Sequence, residues 1–482
     1  MRELTSRALE CARRSGAQYA DIRVISEDQQ GIMVKNGAVQ SLTSSGSHGF
    51  GVRVVVDGAW GFAASSLVTP DEVVRVAEEA ARVARASALV KRNGEFALSP
   101  LKGIEDSYAT KVAVDPFKVK LEDKLALLLE ADRLMRQDQR VRVSAASMHY
   151  LRESQVFAST EGSYITQEIV ETGAGINATA VAAGEMQRRS YPASFSGDAA
   201  SAGYEFVQAM DLPAHAPRVA KEAGDLLQAE QCPSGVMDLI LEGSQLGLQI
   251  HESCGHPIEL DRVFGQEASY AGTSFLTPEK LGSFTYGSPH VTIVADATIP
   301  GGLGSFGYDD EGVPAQRSVI VDRGLFTNYL TSRESAAQLG QSSNGTMRAD
   351  GWERMPIIRM TNVNLEPGDW TLDEIIKDTR RGILMATNKS WSIDDKRINF
   401  QFGTEAGWLI EDGSLTRLVK NPTYTGITPE FWGSCDAIAD KREWHVWGLS
   451  NCGKGEPSQT AHVGHGAAPA RFRNVRVGVG RW

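Results

Sequence analysis

The chain has 482 residues, 41% hydrophobic and 23% charged, a composition that builds a globular protein of two or more domains. Its formal net charge of −11 argues against the basic surface that nucleic-acid binding requires. No apolar run approaches the roughly 18–20 residues that span a bilayer, so no membrane partner is expected either.

In chain order, Glu3–Arg14 reads as a helix stopped by Gly16, and Tyr19–Ser26 alternates like a strand. Asn36-Gly37 and Asp57-Gly58 each sit between strand-like runs and predict two hairpins. Thr69-Pro70-Asp71 opens a second helix that runs through Val73–Ala86. Arg92–Thr110 reads as a connection with a short strand, and Lys118–Gln137 as a strong helix with Leu121, Leu125, Leu128 and Asp132 at helical spacing. Long strands follow over Arg142–Thr172 around a Glu161-Gly162 turn, and a further run reaches Ser190. Asp198–Tyr204 is small and polar, hence a loop, and Pro217–Gln231 reads as a helix.

The character changes at Cys232-Pro233-Ser234-Gly235, where the main domain boundary is expected. The predicted fold class is α+β. Residues 1–231 form an N-terminal α+β domain, divisible into 1–112 and 113–231, and residues 232–482 a mainly β domain. In the latter, VMDLILEG predicts a buried strand leading to Ser244 as helix N-cap, and Thr371–Leu384 opens like a capping box.

The helix after Ser244 carries L-G-L-Q-I-H-E-S-C-G-H-P-I-E-L-D, Leu246–Asp261, which holds two of the nine histidines in the chain. Imidazole is the commonest zinc ligand, and zinc hydrolases pair two such ligands with a carboxylate, the part Glu252 would play. The usual spacing is H-E-x-x-H; here it is H-E-x-x-x-H, His251 to His256. Five α-helical residues turn the second ring about 140° off the face of the first. Both reach one metal only if the helix ends, widens into a π-bulge or turns, and Gly255 and Pro257 supply helix-breaking chemistry on either side of His256. Cys254, Glu259, His290, Cys435, Cys452, His462 and His465 are all candidates for a third ligand, and spacing does not choose among them. Cys452 lies in S-N-C-G-K-G-E-P, where the glycines permit close approach and Lys454 favours a thiolate. Glu259 is a candidate for orienting a histidine from behind. The five cysteines are few, odd in number and scattered, which suits a reducing compartment. MRELTSRALECARRSG has no apolar core of the kind a secretory signal carries, so a cytoplasmic location is expected.

The H-E-S-C-G-H run resembles the signature of the TldD/PmbA metalloprotease family, on the metal-motif-bearing TldD side. Three other stretches add to the resemblance: Cys452-Gly453-Lys454, Asp309-Asp310-Glu311-Gly312-Val313-Pro314, and Met347–Asn362, which ends in Pro356-Ile357-Ile358-Arg359-Met360-Thr361-Asn362. It extends from the Y-A-D-I-R-V strand to the segment after Cys452. The resemblance implies His251, His256 and Cys452 as metal ligands, Glu252 as general base, and one zinc ion per catalytic chain. It leaves iron or another divalent ion open. It also implies short or unfolded peptides as substrates and assembly as a homodimer or with a PmbA-like paralogue. Asp310 and Arg359 are candidates for binding peptide or bracing the site, although residues alone read their segments as a charged turn and an alternating strand. Two other classes remain open: a non-catalytic subunit that captures extended chains by β-augmentation, and a structural metal closed by a fourth ligand, Cys254 or Glu259.

Overall fold

The computed structural model describes residues 1–90, 96–195, 197–456 and 458–478. Residues 92–95 of the expected connection and Pro457 of the C-terminal cysteine segment lie outside the described residues. The fold is α+β.

Local chemistry shapes the first sheet. α1 (Arg2–Arg14) stops where Gly16 takes a left-handed φ of +82°. β1 (Tyr19–Lys35) and β2 (Ala38–Val56) are joined by Asn36-Gly37, and β2 and β3 (Ala59–Ser65) by Asp57-Gly58. All four turn residues have positive φ, between 50° and 83°, as tight antiparallel hairpins require. α2 (Pro70–Ala88) lies close on β3, because a Cβ at Gly61 would stand 2.1 Å from the Ala80 carbonyl oxygen. β4 (Glu105–Ala109), α3 (Leu121–Met135), β5 (Val141–Ser159), β6 (Tyr164–Ala182), β7 (Glu185–Tyr191) and β8 (Asp198–Ala200) follow. The sheet order is β3-β2-β1-β5-β6-β4, with β7 and β8 also paired to β6. β1 therefore extends well past the expected Ser26, and the expected Asp198–Tyr204 loop begins as a strand. β8 pairs with the middle of β6, where backbone hydrogen bonding overrides the small polar composition.

α4 (Glu205–Met210) and α5 (Leu212–Leu226) replace the expected helix over Pro217–Gln231. Pro213 sits in the first turn of α5, where its missing N–H costs nothing, and Pro217 is accommodated one turn further on. Glu230–Gln231 instead forms β9. α3 and α5 bury Leu128, Ala131, Val219 and Ala223 against Met148, Tyr150 and Ile176 of the sheet.

β10 (Gly235–Leu241) belongs to a second sheet, ordered Arg381–Ile393, β10, Ala470–Val477, Thr423–Ile427, Asn399–Glu411, Ser414–Lys420, β9. Pairing of Arg381–Ile393 with Asn399–Glu411 closes part of this path into a ring. From β10 the chain enters α6 (Gly243–Ile250), in which every residue from Gln245 to Ile250 is buried. A helix buried on nearly all sides is a core helix, and Leu246 and Ile250 share one core with Phe402, Trp432 and Phe472. Its N-cap is Glu242 rather than Ser244: the Glu242 carboxylate accepts from the Ser244 N–H at 3.1 Å.

Two further expectations shift. The Thr371 capping box is present, with Glu374 as its partner, but the helix is only Leu372–Lys377 because Arg381–Ile393 is drawn into the ring as a strand. The alternating run Met347–Asn362 is not one strand; Met347–Arg348 and Ile357–Ile358 pair with each other as a short hairpin.

Candidate metal centre

The helix carrying the paired histidines changes its winding where the spacing demands it. Residues His251–Gly255 form a π-turn, closed by a hydrogen bond from the His256 N–H to the His251 carbonyl, and His256–Ile258 a 3-10 turn. The i→i+5 turn brings the second ring back to the face of the first. Ser253 promotes it: its hydroxyl donates to the Gln249 carbonyl at 2.5 Å, in competition with the α-helical ladder. Trp432 Nε1 donates to that hydroxyl and Tyr286 Oη to the Ser253 carbonyl, both at 2.9 Å. The His251 and His256 rings stand 4.8 Å apart, nearly perpendicular at 86°.

Cys452 comes from the hairpin of His445–Lys454 and Gln459–Ala467. The register slips between Leu449 and Cys452, a bulge of the kind that re-aims a side chain. Donor atoms of His251, His256 and Cys452 all lie within 4.8 Å of one another, and all three residues are buried. Cys452 Sγ is 3.8 Å from His256 Nε2. Ligands around a tetrahedral metal stand roughly 3.3–3.6 Å apart for Zn–N and Zn–S bonds of ordinary length, so the group fits a metal after slight contraction.

The far side of each imidazole is already engaged. His465 Nδ1 lies 3.1 Å from the Val363 carbonyl, which only accepts, so Nδ1 carries the proton and Nε2 the lone pair. His251 Nδ1, 2.8 Å away, therefore donates to His465 Nε2 and leaves its own Nε2 free. His256 Nδ1 donates to Glu259 Oε2 at 2.9 Å, with the same result. Burial drives the His251 imidazole down to about 4 and pushes His256 and His465 well below the ordinary histidine value. All three are thus neutral near pH 7. Burial alone would raise the Cys452 thiol, but its charged surroundings, the Arg359 guanidinium first among them, outweigh burial and hold the thiol below its ordinary value.

The other sequence candidates fall into place around this group. Glu259 is fully buried behind His256, with Lys454 Nζ at 3.4 Å. Lys454 is also bound to Asp261 and to the Ile358 carbonyl, both at 2.7 Å. Arg359 donates to the Cys452 and Gln459 carbonyls and so fixes the hairpin that presents the thiol. Glu252, next to His251, is 6% exposed and bound by Arg397, a residue the sequence reading did not single out. Asp310 lies outside the donor group and ties strands β1 and β5 of the first sheet to the loop after Met347–Arg348: it accepts from Arg23, Gln155 and the Ala349 N–H at 3.2, 3.0 and 2.7 Å. Of the remaining third-ligand candidates, His465 stands behind His251, His462 pairs with Glu171, and His290 is exposed. Cys254 and Cys435 are core thiols that burial pushes up, Cys254 to about 12. Among the described residues, none of these joins the three-donor group.

Known proteins share this architecture. The PmbA/TldA metallopeptidase domain 1, central domain and C-terminal domain match residues 20–84, 114–229 and 234–479. A metalloprotease of Methanocaldococcus jannaschii is 32% identical over 94% of this chain and 95% of its own length. A metalloprotease TldD homolog of Haemophilus influenzae is 27% identical over 95% of this chain and 92% of its own. The crystal structure of TldE from Thermococcus kodakarensis superposes with a TM-score of 0.74 at 18% identity, covering 98% of this chain and 99% of that one. With matches along nearly the whole chain, and with the histidine motif and distal cysteine meeting in one buried group, the chain belongs to the PmbA/TldD metallopeptidase family, on its metal-motif-bearing TldD side.

Proposed function

We propose that the protein is a metal-dependent peptidase acting on short or unfolded peptides, with one zinc ion per chain held by Nε2 of His251, Nε2 of His256 and Sγ of Cys452. The reading rests on one arrangement: three donors whose imidazoles are locked from behind, beside a carboxylate, Glu252, that is not one of them. Three protein ligands and an open position are the pattern of catalytic zinc, whereas structural zinc takes four. When bound, the metal supplies polarisation of the scissile carbonyl and acidification of water. Glu252 takes the proton of the attacking water as the oxygen–carbon bond forms, and passes it to the amine nitrogen as the carbon–nitrogen bond breaks. His465 and Glu259 hold the ligand rings in the tautomer that leaves Nε2 available, and Arg359 holds the hairpin that presents Cys452.

The organisation proposed with this activity is an N-terminal α+β domain over 1–231, with subdomains 1–112 and 113–231, and a metallopeptidase domain over 232–482. The chain works as a homodimer or beside a PmbA-like paralogue, in the cytoplasm. No helix among the described residues is long and apolar enough to cross a membrane.

The test is metal content and hydrolysis of an unstructured peptide by wild type and Glu252→Ala, each with and without a PmbA-like paralogue. One zinc per chain in both proteins, with turnover lost only in Glu252→Ala, is the expected result. Zinc retained without turnover in any combination would replace this reading with a structural metal, and no metal at all with a peptide-binding subunit.

A further inference from the structure

Arg397 projects into the site from the tip of the hairpin between strands Arg381–Ile393 and Asn399–Glu411, and its Nη1 donates to Glu252 Oε2. A cation held on the proposed general base poses the question of what it balances once that carboxylate takes up a proton. The rest of the guanidinium sharpens the question. Among the described residues Glu252 is its one hydrogen-bond partner, and its buried Nε has none. An unpaired buried donor is costly, and such a group in a folded protein calls for an explanation.

The tip is also held firmly in a costly conformation. Arg397 has φ +66°, in the left-handed region that a side chain disfavours. Four contacts pin the backbone there. The Arg397 N–H donates to the Asp394 carbonyl at 2.9 Å, and Thr428 Oγ1 to the Arg397 carbonyl at 2.8 Å. The Phe275 N–H donates to the Lys396 carbonyl at 3.1 Å, and Arg262 Nη2 to the Asp395 carbonyl at 3.0 Å. The Arg397 and Glu252 side chains are 13% and 8% exposed, so the pair is largely shielded from solvent. Arg359, the other arginine near the donors, also has an unpaired buried Nε, but both of its Nη atoms are given to the Cys452 hairpin.

We propose that Arg397 is a catalytic residue, the donor that stabilises the scissile carbonyl oxygen as it becomes an oxyanion; this inference rests on the peptidase reading above. Before reaction, Arg397 is held by the Glu252 carboxylate. When Glu252 takes the proton of the attacking water it becomes neutral and its grip on the guanidinium weakens. In the same step the new oxygen–carbon bond pushes an electron pair onto the carbonyl oxygen. The charge that Arg397 was balancing thus moves from Glu252 to the substrate, and the unspent Nε and Nη donors are placed to follow it. On collapse the carbon–nitrogen bond breaks, Glu252 returns its proton to the amine, and the resting ion pair re-forms. Arg397 keeps its own protons throughout. Such an interaction is stronger in the transition state than in the ground state, so it raises kcat rather than lowering KM.

The experiment compares Arg397→Met, Arg397→Lys and Glu252→Ala with wild type. It measures zinc content, thermal midpoint, kcat and KM on an unstructured peptide, and inhibition by a phosphinic peptide that mimics the tetrahedral state. The expected result for Arg397→Met is a kcat about 10²–10³-fold lower, with zinc content unchanged and KM within about threefold of wild type. Phosphinic-peptide affinity should fall by a similar factor, and Arg397→Lys should recover part of both losses. A kcat within about threefold of wild type in Arg397→Met, or a kcat loss with unchanged phosphinic-peptide affinity, would overturn the proposal. Should Arg397→Met fail to fold, Arg397→Lys decides: wild-type kcat and inhibition overturn it, and a parallel fall in both supports it. Turnover surviving in Glu252→Ala would instead overturn the parent reading, whatever the arginine variants do.

Discussion

Replacing Glu259 by alanine removes the group that sets the orientation of His256. Its Oε2 accepts from His256 Nδ1 at 2.9 Å and lies 3.4 Å from Lys454 Nζ, in a fully buried position. Lys454 is not stranded by the change, because Asp261 Oδ1 and the Ile358 carbonyl each remain at 2.7 Å. Among the described residues the ring has no other anchor on that side, so the proton is free to move to Nε2, the atom the metal needs. Loss of such a support typically weakens metal binding 10–100-fold, or about 1.4–2.7 kcal/mol. Glu259→Gln keeps an acceptor carbonyl within reach of Nδ1 but gives up the negative charge, so its loss should fall near the tenfold end and that of alanine near the hundredfold end. Competition for zinc with a chromophoric chelator measures both, and melting of the metal-free proteins checks that each remains folded. Affinity in folded Glu259→Ala within about twofold of wild type would refute the argument that ring orientation is what this carboxylate supplies.

Four other outcomes follow from the geometry. In Gly255→Ala the new Cβ would stand 2.2 Å from Met360 Sδ, so the variant should lose about 1–3 kcal/mol of stability by overpacking; Met360→Ala in the same protein should return part of it, and additive losses in a double-mutant cycle of urea midpoints would contradict the clash. Trp432→Phe deletes the donor to Ser253 Oγ and part of a fully buried ring, and should cost about 1–3 kcal/mol by denaturant unfolding, with a measurable fall in zinc affinity because the π-turn loses a support. Burial would lower the His462 pKa, but the Glu171 carboxylate raises it above its ordinary value of 6.5. A raised folded-state pKa stabilises the protein fully below 6.5 and less as pH climbs through the raised value, so His462→Gln should narrow the gap between acidic and alkaline urea midpoints. Chelation should lower the melting temperature and added zinc restore it, since a metal bound only by the native state at 1,000 times its dissociation constant contributes about 4.1 kcal/mol.

Legibility in the sequence followed the range of the interactions. The two-residue hairpins at Asn36-Gly37 and Asp57-Gly58 and the Thr371 capping box are set within a few residues, and each stands where its turn chemistry places it. The distortion between His251 and His256 was legible too, because an H-E-x-x-x-H spacing on one metal demands it and Gly255 and Pro257 permit it. Helix ends were less so. Glu230–Gln231 pairs with Ser414–Lys420, a contact that no local window contains, and Leu384 is taken from its expected helix by the ring. The parts around the donors were hidden for the same reason. His465 reads as one more candidate ligand until Val363, on another strand, fixes its tautomer. Arg397 lies in an ordinary charged turn whose relation to Glu252 exists only after strands Arg381–Ile393 and Asn399–Glu411 have paired.

The donors reach the site at very different times during synthesis. Cys452 follows His256 by 196 residues, and Ala470–Val477, which inserts between β10 and Thr423–Ile427, is made later still. At about 5–20 residues per second, a growing chain carries the paired histidines for on the order of 10–40 s before the thiol exists. Throughout that interval β10 lacks Ala470–Val477 beside it, the hairpin that presents Cys452 is incomplete, and so is the donor set. A ribosome-bound fragment that stops short of Cys452 therefore holds His251, Glu252 and His256 without the third donor of the group.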